Sequence, residues 1–140
     1  MFWVDRIVDE IIEAYPGKDE FVIRDEKTLS GQVHVGSLRG VVIHGVVAEE
    51  IAKRGKKARF IYEFNDADPM DGLPTYLDAD VYEKHMGKPL KDVPPPEDRK
   101  YRGMKASNLA EYFGLEFLEV IHRLGFENVE ITWASKLYKE

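Results

Sequence analysis

Phe21-Val22-Ile23-Arg24-Asp25-Glu26-Lys27-Thr28-Leu29-Ser30-Gly31-Gln32-Val33-His34-Val35-Gly36-Ser37-Leu38-Arg39 is the stretch whose reading decides the fold. Phe21–Ile23 is short, apolar and β-prone, and reads as a buried strand. Residues 25–33 are polar and contain Ser30-Gly31, so the chain turns there. From about Val35 to Arg54, an apolar stripe of Leu38, Val41, Val42, Val46 and Ile51 recurs at helical spacing, with Gly55 as the C-cap. Strand, polar loop and long helix follow one another directly. In an open α/β sheet, ligands bind beyond the carboxyl ends of the strands, which is where this loop falls.

The neighbouring segments extend the pattern. Trp3, Val4, Ile7, Val8, Ile11, Ile12 and Tyr15 predict an amphipathic helix that Pro16-Gly17 stops. Arg59–Phe64 reads as a second strand. Residues 65–104 hold six of the seven prolines and show no sustained period, apart from a short helix near Asp80–Met86. So long an irregular stretch is functional or an insertion. A helix from Ser107 to Leu124 carries Leu109, Tyr112, Phe113, Phe117, Val120 and Ile121 on one stripe, and Gly125 closes it. Asn128–Trp133 is a third strand. The order α-β-α-β-insert-α-β implies right-handed crossovers and a parallel, Rossmann-like sheet with helices on both faces. Residues 1–140 read as one domain with an insert at about 65–104. Three strands leave an edge that wants a partner, which suggests part of something larger.

Composition narrows the function classes. There are 20 Lys and Arg against 26 Asp and Glu, a formal charge of −6. An acidic domain is not a generic nucleic-acid binder, because neutralising phosphates needs concentrated positive charge. The one basic run, Lys53-Arg54-Gly55-Lys56-Lys57-Ala58-Arg59, reads as a solvated helix end, with an RNA-backbone contact as the minor alternative. Cysteine is absent, which excludes disulfides and thiolate metal sites. No membrane span is expected. Met1-Phe2-Trp3-Val4-Asp5 lacks the features of a signal peptide, so a cytoplasmic location is expected.

The loop at 25–37 can do chemistry. It ends at the start of a long helix, where free N–H groups and the positive dipole end favour an anion. An imidazole at His34 can donate to a phosphate oxygen as charge builds in a transition state. Gly36 lets a base or ribose approach the backbone, and Ser30-Gly31 gives a second point of close approach. Ser37 caps the helix or donates a hydrogen bond. This is neither a Walker loop nor Gly-x-Gly-x-x-Gly.

Lys27-Thr28-Leu29-Ser30-Gly31-Gln32-Val33-His34-Val35-Gly36-Ser37-Leu38-Arg39 resembles the first signature of class I aminoacyl-tRNA synthetases, and the class I lysyl-tRNA synthetases look closest. Met86-Gly87-Lys88-Pro89-Leu90…Val93-Pro94 and Ala134-Ser135-Lys136-Leu137-Tyr138-Lys139 are similar to two later stretches of that family, in order. The resemblance implies the incomplete first half of a synthetase nucleotide-binding domain. It implies that Ser30, Gly31, His34, Gly36 and Ser37 bind ATP, with His34 catalytic at the α-phosphate. Glu26 and Thr28 would lie on the amino-acid side. Lysine would be adenylated, pyrophosphate released and the lysyl group passed to tRNA, with Mg²⁺ accompanying ATP. Asp66 and Asp68, at the end of the second strand, are either carboxylates near that Mg²⁺ or an ordinary Asp-Pro turn, and the turn is the preferred reading.

Several positions depart from the family pattern. Ser37 replaces a fourth His or Asn, and Leu29 replaces a Pro. Glu26 stands where lysyl members carry Gly; a carboxylate there pairs with a cationic side chain or excludes the usual pose. A Lys-Met-Ser-Lys-Ser-like second signature is missing. Gly103-Met104-Lys105-Ala106-Ser107 is faintly similar but comes too early. The chain alone is therefore not expected to complete aminoacylation without a C-terminal half. His44, His85 and His122 share no metal-ligand spacing with carboxylates, so no protein-only metal site is expected. Two further readings stand beside the synthetase: another nucleotidyltransferase of the His-x-Gly-His superfamily, and a non-catalytic module binding tRNA or a synthetase.

Overall fold

The computed structural model describes residues 2–138. Met1 of the N-terminal reading and Lys139 of the last matched stretch lie outside them. The elements are α1 (Trp3–Ala14), β1 (Glu20–Thr28), α2 (Val35–Lys53), β2 (Lys57–Asn65), α3 (Ala79–Tyr82), β3 (Lys100–Tyr101), β4 (Met104–Lys105), α4 (Leu109–Arg123), β5 (Glu130–Trp133) and α5 (Ala134–Leu137). A 3₁₀ turn at Glu83–His85 extends α3, and another forms at Leu90–Asp92. The expected alternation is present.

The main sheet is parallel, in the order β1-β2-β5. Its register runs from Glu20 opposite Lys57 to Thr28 opposite Asn65, then from Ile61 opposite Glu130 to Phe64 opposite Trp133. Phe60, Tyr62 and Phe64 alternate onto one face and pack with Val41 and Ala48 of α2 and Phe113 and Phe117 of α4. Val8 of α1 packs with Phe21, Val47 and Ile51 in an adjoining cluster. On the other face, Tyr138, just beyond α5, shares a depression with Arg24, Glu26 and Glu63. The helices thus flank the sheet unequally.

Three local readings shift. β1 extends to Thr28 instead of ending near Ile23, because all nine residues pair with β2. It is an edge strand, and Val22 is 48% exposed, so it is buried only on the α2 side. Val42 is 39% exposed, whereas Val47 and the Cβ-less Gly45 are buried. Helix α2 packs on both the sheet and α1, which turns its buried face away from Val42. Helix α4 starts at Leu109 because Asn108 Oδ1 accepts the Glu111 N–H at 2.8 Å, an N-cap. The irregular stretch is not loose, since Met70, Leu77, Tyr82, Leu90 and Val93 belong to the main core.

Candidate functional site

His34 is the N-cap residue of α2, extended at φ −139° and ψ 169°. Its carbonyl accepts the Ser37 N–H at 2.9 Å and the Leu38 N–H at 3.3 Å. Its side chain makes no capping bond. The imidazole instead folds over the first turn, because a methyl group at Gly36 would lie 3.0 Å from both Cε1 and Nδ1 of His34. The space that Gly36 leaves open is taken by this ring. The first N–H groups of α2 have no partner within the helix, and the dipole adds positive potential there. Ser37 Oγ is buried and lacks a hydrogen-bond partner among the described residues, so it does not cap the helix.

Strand alternation decides what faces this helix start. Phe21, Ile23, Asp25 and Lys27 point to the α2 side, whereas Arg24, Glu26 and Thr28 point away. The burial pattern agrees, with Phe21 buried and Val22 exposed. An open depression of ≈ 310 Å³ lies between β1 and the first turns of α2, at the lower end of small-molecule site sizes. Asp25, Glu26, Lys27, His34, Gly36, Ser37, Gly40 and Tyr62 line it. Burial lowers the Lys27 ammonium below its ordinary range. Burial, then Asp25 and Glu26, raise the Tyr62 hydroxyl far above its usual range, so it remains a donor, 3.4 Å from the Glu26 carbonyl.

Thr28, Ser30 and Gly31 do not line this depression. The Thr28 hydroxyl donates to Asp68 Oδ2. Ser30 borders a separate hollow with Asp71 and Pro74. Gly31 lies under Tyr76, whose hydroxyl would be 2.6 Å from a Cβ there and accepts the Gln32 N–H at 2.7 Å. Glu26 reaches the opposite face beside Glu63, which Arg24 already pairs. Lys27, Asp25, Gly40 and Tyr62 had no assigned role in the sequence reading. Two-residue alternation along β1 would have found Asp25 and Lys27 had the strand been read to its full length.

The two aspartates after β2 hold structure together. Asp66 is buried and accepts both the N–H and the hydroxyl of Ser135. Asp68 accepts from Thr28. Among the described residues no three His, Asp or Glu side chains group as a cation site. The Ala134–Leu137 segment is helical and tethered through Ser135. Gly103–Ser107 lies in the β3–β4 hairpin and its exit, with Lys105 paired to Asp98. The basic run is matched by carboxylates: Arg54 by Asp5, Asp9 and Glu50, Lys56 by Asp19, and Arg59 by Glu130.

The structure is a parallel α/β sheet in which a His-x-Gly turn opens a long helix just beyond the end of β1. The family described as tRNA synthetases class I (K) matches residues 1–140, and the chain belongs to that family. It is 30% identical over 137 residues to the lysine–tRNA ligase of Methanosphaera stadtmanae, covering 98% of this chain and 24% of that protein. The Streptomyces coelicolor lysine–tRNA ligase is 30% identical over 148 residues, covering 99% and 25%. That of Pyrococcus horikoshii is 32% identical over 137 residues, covering 98% and 25%. The chain thus spans about a quarter of the length of these relatives. No helix of the described residues is long and apolar enough to cross a membrane.

Proposed function

We propose that this chain is the ATP-binding first part of a lysine–tRNA ligase, acting in the cytoplasm on ATP, lysine and tRNA together with a C-terminal half. The observation that carries the reading is the His34 imidazole laid over Gly36 at the open start of α2, beside the depression holding Lys27 and Asp25. The polar groups fit a triphosphate: helix N–H groups, the His34 ring, the Lys27 ammonium and the unpartnered Ser37 hydroxyl all favour anionic oxygens. His34 donates to the α-phosphate oxygen as negative charge develops there, and the helix start holds the phosphates in place. Mg²⁺ enters with ATP. Ser30, Gly31 and Thr28 shape the loop from behind, while Glu26 stands at the margin of the amino-acid side.

The test is an ATP titration followed at the His34 imidazole resonances, with ATP–pyrophosphate exchange run for each of the twenty amino acids. Lysine-dependent exchange is expected to fall about 10²- to 10³-fold in His34→Ala. ATP binding without exchange supports a half-site whose turnover needs the rest of the enzyme. Exchange driven by another amino acid overturns lysine as substrate. Absence of any ATP response at His34 overturns the nucleotide reading.

A further inference from the structure

We propose that Tyr76 of the proline-rich stretch, helped by Glu116 of α4, positions the His34 imidazole by clamping the loop that leads into α2; its consequence for ATP rests on reading the site as nucleotide-binding. Between Leu29 and His34 the chain belongs to no strand or helix. Leu29 is anchored, buried in the core and with its N–H on the Asn65 carbonyl at 3.3 Å. From Ser30 to Val33, the N–H groups that find a partner among the described residues find it in two side chains far along the chain. The Gln32 N–H donates to the Tyr76 hydroxyl at 2.7 Å, and the Val33 N–H to Glu116 Oε2 at 3.4 Å. These two amides immediately precede His34. They set the direction in which the chain enters α2, and with it where the ring lies over Gly36. Neither Tyr76 nor Glu116 lines the depression beside His34, so both act through the backbone.

Both clamps are themselves held. The Tyr76 ring meets the buried Phe113 ring edge-on, with 6.2 Å between centroids. Its hydroxyl would lie 2.6 Å from a Cβ at position 31, so the contact exists because Gly31 has no side chain. Gly31 does not adopt positive φ, which leaves the seat for Tyr76 as the reason for a glycine there. Glu116 divides its oxygens: Oε2 faces the Val33 N–H, and Oε1 lies 3.7 Å from Arg99 Nη1. Arg99 stacks on the Tyr112 ring, 4.2 Å from its centroid, and donates to the Tyr112 hydroxyl at 3.1 Å. A guanidinium fixed on a ring is a pre-organised partner and keeps the carboxylate in place. Tyr76 and Arg99 both belong to residues 65–104, and so does Asp68, which holds Thr28 at the entry of the loop. The stretch without regular structure thus grips the turn from several sides.

The test follows His34 in this chain by NMR, through the contact between its ring protons and the Gly36 Hα atoms. ATP is titrated on the same samples, and thermal melts are run beside them. Tyr76→Phe keeps the ring on Phe113 and removes only the hydroxyl. It is expected to weaken the His34–Gly36 contact and to lower ATP affinity about three- to tenfold, the range of one hydrogen bond. Gly31→Ala is expected to do the same by displacing the hydroxyl, and to add little once residue 76 is Phe, because both changes remove one contact. Glu116→Ala is expected to act in the same direction, by less, as its longer bond implies. Tyr82→Phe is the matched control, since the Tyr82 hydroxyl donates to the Pro94 carbonyl at 3.1 Å, away from the loop. It is expected to lower the melting temperature without moving His34. An unchanged His34–Gly36 contact in Tyr76→Phe overturns the proposal, as do an equal change in Tyr82→Phe and additive losses in the Gly31→Ala, Tyr76→Phe double variant. A lost contact with undiminished ATP affinity overturns the positioning role. If wild type binds no ATP, the nucleotide reading fails, and the His34–Gly36 contact alone decides the clamp.

Discussion

Gly36→Ala separates stability from function with opposite signs. The residue is the second of α2, in helical backbone without positive φ. Alanine replaces glycine in a helix with a gain of up to about 1 kcal/mol. The added methyl meets only the His34 ring, with Cε1 and Nδ1 each 3.0 Å away. Ordinary carbon contacts lie near ~3.5–4.0 Å, so the ring must retreat by roughly 0.5–1 Å. An exposed side chain on a rotatable bond gives way cheaply, which leaves a net gain of about 0.5 kcal/mol and a Tm raised by about 2 °C. The same displacement moves the donor away from the developing charge. A misplacement on the order of 1 Å costs about 10²-fold in rate, so lysine-dependent exchange should fall about ten- to hundredfold while the protein melts later. Thermal unfolding by circular dichroism and pyrophosphate exchange read the two quantities on one preparation. Undiminished exchange would refute the role given to the His34–Gly36 pair. A lower Tm would show that the ring cannot yield, and that the packing argument is wrong.

Two further outcomes follow from groups remote from that turn. Asp66→Ala leaves the Ser135 N–H, 2.8 Å from Oδ1, without its acceptor, at a cost of about 1–3 kcal/mol. Ser135→Ala loses only the hydroxyl bond and should cost less in thermal melts; equal losses would contradict a contribution from the Ser135 N–H bond to Asp66. His122, bonded to the Tyr101 hydroxyl at 2.9 Å, has its pKa lowered by burial and then by Arg102. Because the folded value lies below the unfolded one, its contribution is present above about pH 6.5 and is lost as pH falls through the folded value. Urea denaturation at pH 7.5 and 5.5 should show that loss in wild type and a smaller one in His122→Gln; identical slopes would discard it.

The alternation of strands and helices was legible because apolar periodicity and Gly55 and Gly125 mark α2 and α4 on their own. Both glycines adopt positive φ, at 78° and 100°. The end of β1 was not legible. Arg24-Asp25-Glu26-Lys27 carries no apolar alternation, because one side faces a polar depression and the other a sparsely covered sheet face. Reading those residues as loop hid the parity that separates Asp25 from Glu26. His34, Gly36 and Ser37 were singled out in the sequence by their place at a helix start and by the resemblance, and the structure puts them at the start of α2 beside the depression. At Gly36 the sequence reading expected the close approach of a base or ribose, and the structure lays the His34 imidazole against that backbone. Gly40 could not be found at all from sequence, because the carboxylate that packs against it, Asp25, comes from a different element.

The three matched stretches, far apart in sequence, meet at one loop. Thr28, in the first, donates to the Asp68 carboxylate. Leu90 and Lys91, in the second, donate backbone N–H groups to the carbonyls of Asp68 and Asp66, each at 2.9 Å. Ser135, in the third, binds the Asp66 carboxylate through its N–H and hydroxyl. The loop after β2 is therefore where the end of β1, the proline-rich stretch and α5 are fastened together. Such an arrangement explains why a long irregular segment is buried at Leu90 and Val93 instead of wandering over the surface. It also gives the aspartates a purpose that needs no metal. The buried Asp66 must find donors or pay heavily for desolvation and finds them in Ser135, and the half-buried Asp68 accepts from Thr28. The site at His34 depends on this frame indirectly. Thr28 is the last residue of β1, and holding it to Asp68 sets where the chain leaves the sheet before turning toward α2.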